Sequence, residues 1–70
     1  MTFEAGLCRM QNNALAGPYA TATIEAETVA HAVKKAKRWT KTVDILDKSW
    51  LQVLRASDRF AVASLKPGEF

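Results

Sequence analysis

Cysteine and histidine occur once each in 70 residues, proline twice and glycine three times, and each scarcity closes a route. A single Cys8 excludes an internal disulfide. One cysteine and one histidine cannot furnish the three or four nitrogen and sulfur ligands of a structural zinc site, and the aspartates lack the spacing of a calcium loop, so no metal or other cofactor is expected. No uncharged stretch is apolar enough to cross a bilayer. The longest, Met10 to Ile24, contains Gln11, Asn12, Asn13, Gly17 and Pro18, where a span needs about 20 largely apolar residues. A Gly-rich phosphate loop, a GxSxG elbow and an HExxH pair are all missing, so the sequence indicates neither enzymatic activity nor a small-molecule substrate. Met1-Thr2-Phe3-Glu4 offers no cationic region leading into an apolar run. A cytoplasmic setting is therefore expected, with no membrane partner.

What is present suits one folded unit. Hydrophobic residues make up 49% of the chain and charged residues 24%, a balance that excludes disorder. Residues 1–70 are expected to form a single small α+β domain. A core of this size contributes only about 3–5 kcal/mol of net stability, and chains this short often add self-association.

Tyr19 to Ala26 alternates strictly, with Ala20, Ala22, Ile24 and Ala26 on one side and Tyr19, Thr21, Thr23 and Glu25 on the other, which reads as a strand. Gln11 to Pro18, with its asparagine pair and Gly-Pro dipeptide, reads as a loop. The opening segment fits two periods: Phe3, Ala5 and Leu7 alternate, while Phe3, Leu7 and Met10 also make a helical stripe. Gly6 in its middle tips the balance to a strand, because glycine weakens a helix by about 0.5–1 kcal/mol relative to alanine.

After Glu27, the residues Val29, Ala32, Val33, Ala36, Trp39, Thr40 and Val43 fall within one sector about 120° wide at 3.6 residues per turn. The spacing predicts a helix over Thr28–Lys41, with Thr28 as N-cap. Thr42 to Ser49 loses that period and reads as a connection. Trp50–Arg55 and Arg59–Leu65 are rich in aromatic and branched residues and flank Ala56-Ser57-Asp58, which predicts an antiparallel hairpin. The order β-β-α-β-β implies two layers: an antiparallel sheet of about four strands with one helix on one face.

A two-residue turn at Ser57-Asp58 would set Val53 opposite Val62, Arg55 opposite Phe60, Leu54 opposite Ala61 and Trp50 opposite Leu65. Both sheet faces then carry large apolar groups, and one helix covers only one of them. Trp50, Leu54 and Leu65 are therefore candidate residues of a homodimer interface. The alternative is that Phe3, Leu7 or the Ala14–Pro18 loop folds across the open face.

Lys34, Lys35, Lys37, Arg38 and Lys41 occupy the helix face opposite the apolar stripe, with no carboxylate between Thr28 and Val43. Their three- and four-residue spacings make five like-charge pairs, which together weaken the helix by about 1–2 kcal/mol before screening. Such a face suits an anionic partner, either a nucleic acid or an acidic protein. Its plainer alternative is a solvated surface, eased where the last-turn cations meet the negative end of the helix dipole. His31 falls on the solvated side, one turn after Glu27. Cys8 has no histidine or second cysteine nearby and reads as a packed side chain.

Thr28-Val29-Ala30-His31-Ala32-Val33 resembles the Thr-x-x-Glu-Ala start of the helix in HicB-type antitoxins, small α+β proteins with a toxin partner. The resemblance covers about twenty residues. His31 stands where that pattern has glutamate, and the Pro-Asp and Gly-Cys motif before the helix is absent, so it implies no toxin partner and no activity for this chain. The function expected from the residues themselves is a non-enzymatic interaction module that self-associates through its sheet. The alternative is a nucleic-acid-binding regulator docking phosphates on its basic helix.

Overall fold

Five strands and one helix succeed one another as β1 (Thr2–Gln11), β2 (Ala14–Leu15), β3 (Ala20–Glu25), α1 (Val29–Thr40), β4 (Ser49–Arg55) and β5 (Phe60–Leu65), in a computed structural model that describes residues 1–70. The fold is α+β: a curled antiparallel sheet with a single helix. β1 is central. Along one edge it pairs with β3 and then β2, along the other with β4, and β5 closes the far side against β4.

β1 is a strand, as Gly6 suggested, and its length lets it serve three partners at once. Its end turns back through Asn12 and Asn13, both left-handed at φ 51 and 66, the conformation a two-residue hairpin turn requires and asparagine tolerates. Gln11–Pro18 is thus not wholly a loop: Met10 pairs with Leu15 and Gln11 with Ala14 to form β2. The strict alternation of 19–26 survives in the structure, with Ile24 and Ala26 buried and Thr21, Thr23 and Glu25 exposed.

The helix starts where its cap allows. Thr28 is extended at φ −133 and ψ 160, and its hydroxyl accepts from the His31 amide at 3.1 Å, satisfying one of the donors that the first turn leaves free. Ala32, Ala36 and Thr40, spaced by four, are buried, with Val33 and Trp39 half-buried beside them. Small alanines on the helix let it settle onto the larger sheet residues Phe3, Leu7, Leu51 and Val53, all fully buried, so large and small groups interdigitate across the layers. Val29, assigned by period to the inward stripe, is 41% exposed. It begins the first turn, and Ala26, just before the cap, takes the core position there.

The β4–β5 hairpin departs from the expected register. Arg55 opposite Phe60 and Leu54 opposite Ala61 are as the sequence predicts, but a bulge between Val53 and Leu54 shifts the rest by one. Val53 faces Ala63 rather than Val62, and Leu65 faces Leu51 rather than Trp50. An extra residue in one strand increases local twist and bends the ladder, which suits a curled sheet. The turn spans Ala56–Arg59 rather than two residues, closed by the Arg59 amide on the Arg55 carbonyl at 2.7 Å with Arg59 at φ 58.

The helix-free face is partly covered from within. Gly6 projects onto it, and a Cβ placed there would lie 3.2 Å from the Cβ of Pro18, so the Gly17-Pro18 segment rests directly on the central strand. Phe3 and Leu7 lie in the helix-side core and cover none of this face, so of the coverings the sequence left open it is the Ala14–Pro18 loop that supplies at least part.

Candidate functional site

On α1, the N-terminal cap leaves the succeeding turns free to alternate an alanine stripe with cations. Lys34, Lys37, Arg38 and Lys41 are exposed. Lys35 is half-buried, and its Nζ donates to the Glu25 carbonyl at 2.6 Å. The two ion pairs of the chain lie elsewhere, Arg55–Asp58 at 2.7 Å and Arg59–Glu4 at 3.4 Å, so none of the five helix cations meets a carboxylate. Asp44 and Asp47, the nearest acids in sequence, pair with none of them. Lys37 and Arg38 sit in the last turn, where the dipole favours positive charge. From Lys34 to Lys41 the helix rises about 10 Å, a length over which one strand of B-form duplex presents about three phosphates.

A second concentration of positive charge was not legible from spacing. The end of β1 and the start of β4 are brought together by the pairing of Arg9 with Ser49 and Cys8 with Trp50. Arg9, Met10, Lys48, Trp50 and Pro67 line one cleft there. Arg9 and Lys48 lie 39 residues apart in sequence, and only the strand register joins them. A ring of hydrogen bonds holds the adjoining loop. The Leu46 amide donates to the Tyr19 hydroxyl at 3.1 Å, the Tyr19 and Ser49 hydroxyls are 2.6 Å apart, and Ser49 donates to the Leu46 carbonyl at 2.6 Å.

Of the residues assigned to self-association, Trp50 and Leu54 share the helix-free face, where both are half-buried. Leu65 is not with them: opposite Leu51, it packs against the helix-side core. Cys8, paired with Trp50 on the central strand, is 2% exposed. Burial pushes its thiol pKa up, which keeps it protonated and a poor nucleophile.

His31 lines a shallow cleft with Met1, Glu25, Ala26, Glu27 and Lys35. Its backbone amide is held by Thr28, and the Glu25 carboxylate is taken by the Thr2 hydroxyl at 2.6 Å. Neither contact engages the imidazole, and no three of the His, Cys, Asp and Glu side chains converge on a metal position. No helix is long and apolar enough to cross a membrane. No protein-family model, curated protein or solved structure matches this chain.

Proposed function

We propose that the protein is a non-enzymatic module that docks on the phosphate backbone of nucleic acid through α1. One observation carries this function: Lys34, Lys37, Arg38 and Lys41 stand exposed on a single helix face, and no carboxylate of the chain pairs with them. The mutual repulsion of such a face disfavours the free protein and is relieved when an anion arrives. Phosphates contacted this way fix position without reading sequence.

Titration of labelled duplex and single-stranded oligonucleotides across a range of salt concentrations tests the function. About three to four phosphate contacts imply a loss of roughly 40- to 150-fold in affinity between 50 and 200 mM salt. Absence of binding at the lower concentration overturns it. An acidic protein as the partner is the competing outcome, distinguished by capture that survives nuclease.

Self-association is the second reading, favoured by Trp50 and Leu54 remaining half-exposed on the face that the helix does not cover. It ranks second because the same face carries Glu4, Thr21, Thr23, Gln52 and Ser64, and because Pro18 already rests on part of it. Sedimentation equilibrium separates the two: a mass that stays monomeric as concentration rises removes the dimer.

A further inference from the structure

Arg9 and Met10 near the end of β1, Lys48 and Trp50 flanking the start of β4, and Pro67 beyond β5 surround one cleft at the end of the sheet. We infer that this cleft receives an unpaired nucleobase with its adjoining phosphate from single-stranded nucleic acid, an inference that rests on the nucleic-acid function proposed above.

The walls carry the chemistry. Trp50 brings an indole, Met10 and Pro67 bring apolar surface, and Arg9 and Lys48 bring two positive charges, with no carboxylate among the lining residues. Neither cation forms an ion pair within the chain. An apolar peptide has no use for the two charges, and a free phosphate has none for the indole. A nucleotide uses both: its base stacks on the aromatic ring, and its phosphate meets the cations.

The turn before β4 places Lys48 at the cleft. Four non-glycine residues adopt left-handed angles, and Lys48, at φ 59, is one of them. Two of the others, Asn12 and Asn13, are the residue type that visits this region most readily. The third, Arg59, closes the hairpin and reaches Glu4. Lys48 sits in the turn just before β4, where the Ser49 hydroxyl donates to the Leu46 carbonyl at 2.6 Å, so its left-handed backbone serves that turn. The Tyr19–Ser49–Leu46 hydrogen-bond ring beside it holds the loop in place for a ligand.

The test uses the full chain carrying Trp39→Phe, so that Trp50 alone reports by fluorescence. It is titrated at low salt with a single-stranded oligonucleotide and with a duplex of the same sequence. Binding of both, with quenching of Trp50 by the single strand only, is the expected result. Lys48→Gly relieves the left-handed backbone, so its thermal midpoint should equal or exceed that of the parent while its single-strand affinity falls. Trp50→Leu should lower single-strand affinity about tenfold, the cost of losing one stacked base, and leave duplex affinity nearly unchanged. Binding of both nucleic acids without quenching, and without an effect of either substitution, overturns the cleft and leaves the helix function standing. Failure of both nucleic acids to bind overturns the two together.

Discussion

The hydroxyl of Tyr19 lies 2.6 Å from that of Ser49, thirty residues away. The assignment of protons comes from the neighbours: Ser49 donates to the Leu46 carbonyl, so Tyr19 donates to Ser49 and accepts from the Leu46 amide. The start of β3, the start of β4 and the loop between helix and sheet are thereby fastened at one point. Tyr19→Phe removes the link and is expected to cost about 1 kcal/mol, the net worth of a hydrogen bond. Chemical denaturation measures the loss, and hydrogen exchange should show the Leu46 amide opening before the strands do.

Leu65 opposite Leu51 makes a prediction that contrasts with a place in a dimer interface. Leu65→Ala should destabilise the fold by about 1–2 kcal/mol, as expected for a half-buried core side chain, without altering the mass measured by sedimentation. A mass change without destabilisation would place Leu65 at an interface instead.

At the β4–β5 turn, Arg55 donates to both carboxylate oxygens of Asp58, at 3.0 and 2.7 Å, and the Phe60 amide donates to Oδ1 at 3.1 Å. These bonds, the arginine's foremost, hold the Asp58 pKa down to about 2 from an ordinary 3.8. A depressed carboxyl stabilises the folded state fully above its unfolded pKa, and that contribution is lost as pH falls through the folded value. Hairpin order should therefore decline as pH drops from about 4 toward 2, read as faster exchange of the Phe60 amide. Asp58→Asn, which keeps an oxygen for Phe60 but loses the charge, should remove the acid dependence. Both groups are exposed, and the ion pair is screened accordingly.

Lys34→Glu separates a nucleic-acid face from a merely solvated one. Glutamate at 34 gains Arg38 at i+4 and Lys37 at i+3 and removes two repulsions, so the helix should gain about 0.5–1 kcal/mol. Nucleic-acid affinity should fall at the same time, and the slope of log affinity against log salt should flatten by about 0.9 or more. A stabler protein with unchanged nucleic-acid affinity would show that Lys34 is only solvated.

Local periodicity was enough to specify several features of this chain. Thr28 as cap, the inward stripe at Ala32, Ala36 and Thr40 and the alternation of 19–26 each depend on neighbours within a few residues, and so does the like-charge face of α1. Within each element, backbone geometry sets those relations without reference to distant segments. The choice of strand over helix for Thr2–Gln11 was settled only narrowly by Gly6. Whatever joins distant segments had to wait for the folded chain. The bulge that moved Leu65 to the helix side belongs to the pairing of β4 with β5, which no local pattern encodes. Pro18 reaches Gly6 because β3 pairs with β1 in one register and no other. Arg9 meets Lys48 for the same reason: strand pairing makes neighbours of residues that the chain keeps far apart, and hydrogen-bond register across β1 and β4 supplies the positions that sequence spacing cannot.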